Sequence, residues 1–178
     1  MVSNETTKAK TKARKRVLYL EDDSFFGQIH TKSIKAEGYT VSYASTVEGA
    51  KQLFDESIQN KTPFDVLLTD YIIFRTTSEG LVKYIKSKQP GVPIILHSGI
   101  SSEILIGKLT EPDLFFRIFR KGSLSETKER IISSLKEAIE IKEDSRHLSS
   151  SGFSKSFAKL PAPKKQNLLM RVLRKLTS

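Results

Sequence analysis

No cysteine and no tryptophan occur in the 178 residues, and no apolar run approaches the ~20 residues needed to cross a bilayer. Without cysteine there is no disulfide framework, no thiol nucleophile and no cysteine-based zinc or iron–sulfur centre. The N-terminus lacks the apolar core of a signal peptide. A soluble, cytoplasmic protein is the expectation, long enough for one domain with a real core plus tails.

Charge is plentiful but uneven. The chain carries 30 Lys+Arg against 20 Asp+Glu, a net +10. Residues 1–16 hold +5, residues 144–178 hold +7, and residues 17–143 between them are at −2. A basic globular surface that reads nucleic acid is therefore not supported; basic tails on a near-neutral domain are. Residues 1–16, with almost no apolar content, read as a disordered arm, and 17–143 as the folded domain. Residues 144–163, rich in serine and ending with Pro161 and Pro163, read as a linker. Residues 164–178 read as a basic amphipathic helix, with Leu168, Leu169, Val172, Leu173 and Leu176 on one face and Arg171, Arg174 and Lys175 on the other. Such a helix suits an anionic membrane surface, a partner groove, or packing back on the domain. The basic arms could also contact nucleic-acid phosphates without specificity, but too few residues follow the domain for a winged DNA-binding module, so sequence-specific DNA binding is not expected.

Within 17–143, apolar runs alternate with helical patterns. Val17–Leu20 reads as a buried strand ending in Glu21-Asp22-Asp23. Ser24 caps a helix to about Glu37 with Phe25, Ile29 and Ile34 among its apolar positions, and Gly38 stops it. Residues 39–43 alternate as a strand, and Thr46 caps the next helix, with Val47, Ala50, Leu53, Phe54 and Ile58 at helical spacing. A second apolar run, 64–70, ends at Asp70. Residues 78–89 are helical through Leu81, Val82 and Ile85. A third strand, 92–96, delivers His97-Ser98-Gly99. After a short helix over 101–108, residues 114–119 read as a strand ending at Arg120-Lys121, and Ser125 caps a last helix to about Lys142, with Ile131, Ile132, Leu135 and Ile139 facing inward. The reading is (βα)₅: strands apolar on both faces indicate a five-stranded parallel sheet, doubly wound by helices.

Ligands of such sheets bind beyond the carboxyl ends of the strands. Those ends carry Glu21, Asp22 and Asp23 after strand one, Asp70 after strand three, Ser98 after strand four and Lys121 after strand five. In the strand order 2-1-3-4-5, strands one and three are neighbours and the carboxylates converge. Crowded carboxylates repel and raise one another's pKa; Mg²⁺, a hard cation that keeps several waters, resolves that repulsion. The same acids replace the glycines of a dinucleotide-binding turn, which argues against that kind of nucleotide binding.

On Glu21-Asp22, Asp70, Ser98-Gly99 and Lys121, residues 16–142 resemble the receiver domain of two-component response regulators, a flavodoxin-like fold, in the manner of a stand-alone chemotaxis-type receiver. The resemblance implies a phosphorelay role. Asp70 is then the phosphoacceptor, attacking the phosphohistidine of a sensor histidine kinase or phosphotransfer protein. Mg²⁺ is held by Asp22, Asp70 and the main-chain carbonyl of Ile72, with Glu21 acting through water. Lys121 pairs with the phosphoryl group, Ser98 hydrogen-bonds it, and Gly99 leaves room for the donor. Output is by protein–protein interaction with a downstream protein, and no activity is implied beyond the domain's own phosphorylation and dephosphorylation.

Three features depart from the family pattern. Met-Pro three and four residues after the acceptor is replaced by Ile73-Phe74, and the glycine that follows, Gly80, lies two residues late. Gly122 stands where the family has proline after the lysine. The coupling aromatic before the lysine is Ile118, with Phe119 adjacent on the opposite strand face. Alternatives are a degenerate receiver that binds partners without phosphorylation, and a Mg²⁺-dependent aspartyl phosphohydrolase, whose Asp-x-Asp pattern Glu21-Asp22-Asp23 does not fit. His30 reads as a surface or partly buried helix residue, and His97 as pointing away from the acids because strand residues alternate faces.

Overall fold

The structure, a computed structural model, describes residues 14–150, with side chains described for 14–143. Its elements are β1 (Arg16–Leu20), α1 (Ser24–Ala36), β2 (Thr40–Ala44), α2 (Val47–Gln59), β3 (Val66–Asp70), β4 (Ile72–Ile73), β5 (Thr76–Thr77), α3 (Glu79–Lys88), β6 (Ile94–Ser98), α4 (Ser102–Lys108), a 3₁₀ turn (Pro112–Leu114), β7 (Arg117–Arg120) and α5 (Leu124–Ser150). The main sheet is five-stranded with order β2-β1-β3-β6-β7, and all its pairings are parallel. This is the order 2-1-3-4-5 expected from the sequence, once the two short strands of a separate hairpin, β4 and β5, are set aside.

Register sorts the strand residues by face. Leu20, Thr69, Leu96 and Ile118 align across four strands, as do Asp70, His97 and Phe119 across three. On the first of these faces Leu18, Leu20, Leu67 and Ile94 pack with Ala50 and Phe54 of α2 and with Leu81, Val82 and Ile85 of α3. Leu96 continues that face into a smaller cluster with Leu105, Leu109 and Tyr71, against which Ile118 rests. On the other face α1 contributes His30, whose ring meets that of Tyr19. Burial of each such leucine or isoleucine side chain is worth about 1.5–3 kcal/mol. Apolar residues on both faces of every central strand are what a sheet covered on both sides requires.

Helix ends follow local chemistry. Thr46 caps α2 as expected, accepting from the Gly49 amide at 3.0 Å. The cap of α1 is Asp23 rather than Ser24: its carboxylate accepts from the amides of Phe25 and Phe26 at 2.9 and 3.2 Å. A carboxylate is favoured there over a hydroxyl by the partial positive charge of the helix N-terminus. Gly38, at φ +89°, ends α1 in a conformation other residues adopt at a cost. α5 begins on a reciprocal Ser123–Glu126 box rather than at Ser125.

Four segments differ from expectation. β7 starts at Arg117, because Pro112 directs residues 112–114 into a 3₁₀ turn. α5 runs to Ser150, so the first residues of the Ser-rich stretch read as a linker are helical. The arm read over 1–16 is too long by its last residues, because Arg16 opens β1 and the Lys15 carbonyl accepts from the Thr40 amide at 2.8 Å. Residues 1–13, the rest of the linker stretch and the 164–178 helix lie outside the described residues. The described residues belong to two units, one ending at Ala138 and one beginning at Ile139. Between β3 and α3, finally, the chain forms a two-stranded antiparallel hairpin, Ile72 opposite Thr77 and Ile73 opposite Thr76, where the sequence reading has a lengthened loop. Phe74 begins its two-residue turn at φ +54°, a region usually occupied by glycine or asparagine.

Candidate functional site

Glu21, Asp22, Asp70, Ser98 and Lys121 all sit at the carboxyl end of the sheet. Parallel strands carry every βα turn to that end, and side-chain register then decides which groups meet. Lys121 lies at the centre. Its Nζ donates to Asp70 Oδ2 at 2.6 Å and to Glu21 Oε2 at 2.7 Å. Asp22 stands beside them: one carboxylate oxygen each from Glu21, Asp22 and Asp70 can be chosen so that all three lie within 4.8 Å of one another.

Burial sets the electrostatics. Glu21 is 1% exposed, and desolvation pushes its pKa up to about 6 even though the Lys121 ammonium pulls the other way. Asp70 is raised for the same first reason, with Lys121 again opposing. Burial by itself would depress Lys121, but the two carboxylates outweigh it and hold the amine above its ordinary range. One ammonium thus serves two carboxylates, with a third alongside. Glu21 Oε1 is buried and has no hydrogen-bond partner among the described residues. An orphaned carboxylate oxygen in a three-carboxylate cluster is the donor set a hard divalent cation takes, so the residues present fit Mg²⁺. Ile72, singled out for its carbonyl, sits in the β4–β5 hairpin. The Ser78 amide donates to the Tyr71 carbonyl at 2.8 Å, which makes 71/78 a hydrogen-bonded pair and the adjoining 72/77 a non-bonded one. The hairpin ladder therefore does not consume the Ile72 carbonyl.

The hairpin also feeds the carboxylates directly. The Tyr71 amide donates to Asp70 Oδ1 at 2.6 Å, and the Phe74 amide donates to Asp22 Oδ2 at 2.6 Å. From β2, the Tyr43 hydroxyl donates to the Glu21 carbonyl at 2.7 Å. Gly27 of α1 makes room for it, since a Cβ there would come 2.5 Å from that hydroxyl oxygen. Ser98 is buried, and its hydroxyl accepts from the Ile100 amide at 3.3 Å. A Cβ added at Gly99 would meet nothing within 4 Å, so the approach beside Ser98 is open.

The histidines are not where the sequence reading put them. His30 is 1% exposed and His97 fully buried. Alternation does set His97 opposite Leu96 and Ser98, but Glu21 and Lys121 project on His97's own side of the sheet. His97 Nε2 lies 3.8 Å from Glu21 Oε2, too far for a hydrogen bond, and its ring stacks on Phe119. Burial and the nearby Lys121 charge push His97 well down, and burial takes His30 down to about 4, so both are neutral and the 3.8 Å approach is no ion pair. The Tyr19 hydroxyl joins the group, 3.2 Å from His30 Nδ1 and 3.4 Å from Glu21 Oε2. A polar aromatic layer therefore lies behind the first acid. The sequence signal for it was available: tyrosine and histidine inside otherwise aliphatic strands.

No family model matches the sequence, and no curated protein matches it. Solved structures match its fold. One is a response regulator receiver domain protein from Clostridium thermocellum, 21% identical over 72% of this chain and 97% of that one, with a TM-score of 0.60. Another is a CheY-like receiver domain protein from Methanospirillum hungatei, 20% identical over 75% and 99%, TM-score 0.62. A third is the response regulator TrrA of Thermotoga maritima, solved in complex with Mg²⁺ and BeF, 20% identical over 67% and 98%, TM-score 0.56. The chain has the receiver fold. No helix among the described residues is long and apolar enough to cross a membrane.

Proposed function

We propose that this receiver-fold chain is a phosphoacceptor response regulator: Asp70 takes a phosphoryl group from a phosphohistidine of a sensor kinase or phosphotransfer protein, with Mg²⁺, and output is by protein–protein interaction. The observation that carries this reading is Lys121 Nζ at 2.6 Å from Asp70 and 2.7 Å from Glu21, with Asp22 completing the carboxylate cluster. A carboxylate oxygen of Asp70 forms the new O–P bond while the N–P bond of the donor breaks and its electron pair returns to the imidazole. The Lys121 ammonium, already against Asp70, faces the charge that builds on the phosphoryl oxygens. Asp22, Asp70 and the Ile72 carbonyl would hold Mg²⁺, with Glu21 acting through water, and the chemistry such an ion would supply there is neutralisation of phosphoryl-oxygen charge. Ser98, once it leaves the Ile100 amide, can donate to the acquired phosphoryl group, and the open space at Gly99 admits the donor.

A second reading, a binding adaptor that works without phosphorylation, is favoured by Ile118. This position is aliphatic and packs on the Tyr71, Leu96, Leu105 and Leu109 cluster, while Phe119 is buried against His97, so no aromatic is set to follow Ser98. Amide NMR of the full chain separates the two. Mg²⁺ and then beryllofluoride, a phosphoryl mimic, are titrated into wild type, Asp70→Asn and Lys121→Ala. The phosphoacceptor reading expects Mg²⁺ to shift Glu21, Asp22 and Asp70, and the mimic to move Ser98 and β7 only when Asp70 is present. Absence of both responses leaves the adaptor.

A further inference from the structure

Phe74 occupies a costly conformation. A bulky side chain at φ +54° crowds its own backbone, and this one gains little from packing, being 63% exposed. Two things hold the turn that carries it. Ile73, 1% exposed, anchors the hairpin in the core beside Leu81 and Val82, and the Phe74 amide donates to Asp22 Oδ2 at 2.6 Å. A short bond from an amide to an ionised carboxylate is among the stronger hydrogen bonds a protein makes. It also crosses from the β3–α3 connection to the first acidic turn, 52 residues apart in sequence.

We infer that the Phe74 amide is a positioning group for the metal site: by holding Oδ2 of Asp22, the hairpin fixes the orientation of that carboxylate beside Glu21 and Asp70. The inference rests on the reading of Asp22 as a Mg²⁺ ligand. It follows from chemistry that proline at position 74 would remove, since proline carries no N–H and cannot adopt a positive φ. One connection thereby sets two acids, Asp70 through the Tyr71 amide and Asp22 through the Phe74 amide. The positive φ at Phe74 is the conformation that aims the second of these amides. The extra length of the connection and the loss of proline, departures in the sequence, have a common purpose in this geometry.

The test uses the full chain. Three variants separate donor from side chain. Phe74→Gly keeps the N–H and tolerates the positive φ; Phe74→Pro removes both; an ester in place of the Ile73–Phe74 amide removes the N–H alone and covers the case in which the proline variant misfolds. Mg²⁺ affinity is read from amide shifts at Glu21 and Asp70, and hydrogen exchange at Phe74 is read without metal. Phe74→Gly should bind Mg²⁺ within about 2-fold of wild type, whereas the ester and proline variants should bind about 10-fold or more weakly, the loss expected of a group that orients a ligand. The Phe74 amide should be protected from exchange in the metal-free protein, and Asp22→Ala should abolish that protection. Wild-type affinity in the ester variant, or an unprotected Phe74 amide, overturns the inference while leaving the phosphoacceptor reading intact. Wild type that binds no Mg²⁺ overturns both.

Discussion

Glu21 is where the site is most in conflict with itself. It is almost fully buried, its Oε1 has no partner among the described residues, and its pKa stands at about 6 against an ordinary 4.5. The folded state thus holds the proton more tightly than the unfolded chain. The stability this group contributes is complete below about pH 4.5 and is lost as pH rises through about 6. A shift of that size corresponds to about 2 kcal/mol. Glu21→Gln keeps the shape and removes the charge, so without metal it should be more stable than wild type by about 1–2 kcal/mol at pH 7.5, with the difference vanishing near pH 4.5. Urea unfolding in EDTA at the two pH values measures this; a wild type that is the more stable protein at pH 7.5 would show that Lys121 more than compensates the buried carboxylate. At this scale the sequence was legible for Asp22, Asp70, Ser98 and Lys121, because position at a strand end is enough to bring them to one edge. It misled for His97. Alternation states which face a residue takes, but not which face the acids take, and Glu21 continues β1 onto the side that His97 shares.

Among the helices of the described residues, α4 is the shortest α-helix. It has seven residues, no side-chain cap, and two isoleucines, Ile104 and Ile106, largely exposed. What docks it is Leu105, fully buried against Leu96, Tyr71 and Leu109. Leu105→Ala should cost about 2–5 kcal/mol, the range for emptying a buried leucine site. A seven-residue helix cannot persist undocked, so the loss should appear first as faster amide exchange in α4 while β1 and β3 stay protected. Native-state hydrogen exchange resolves this; uniform loss across the sheet would mean α4 unfolds only with the whole domain. Elements with apolar periodicity and a capping residue, such as α2 behind Thr46, were legible to within a residue or two. The β4–β5 hairpin was not. Its turn, Phe74-Arg75, contains none of the residues that announce a positive φ; the burial of Ile73 and the tertiary bond to Asp22 account for it. β7 is shorter than its apolar run for a different reason: the run from Leu114 continues into the strand, and the 3₁₀ turn over Pro112–Leu114 is dictated by Pro112, upstream of the run.

For the whole molecule, the alternation of elements determined the topology, since right-handed crossovers and buried strands leave few arrangements open. What alternation could not convey is that the finished site stores repulsion. Three carboxylates share one ammonium at the mouth of the sheet, and burial raises Glu21 and Asp70, so the metal-free cluster costs stability at neutral pH; Mg²⁺ bound as proposed would offset that cost. Asp70→Asn therefore offers a comparison in which the order of stabilities should invert. Asp70 is raised by burial, so its stabilising contribution is lost as pH rises past its folded pKa, and at pH 7.5 in EDTA the Asn variant should melt at a higher temperature than wild type. With Mg²⁺ at about 100 times its Kd, wild type gains about 2.7 kcal/mol by mass action. The variant, lacking one charged ligand, gains much less and should fall below it. Thermal melts of both proteins with and without Mg²⁺ decide the point. Equal gains in the two proteins would place the cation elsewhere on the chain. An Asn variant less stable under both conditions would mean that the Lys121–Asp70 pair stabilises the fold outright, and that the cluster is held together by its own charges before any metal arrives.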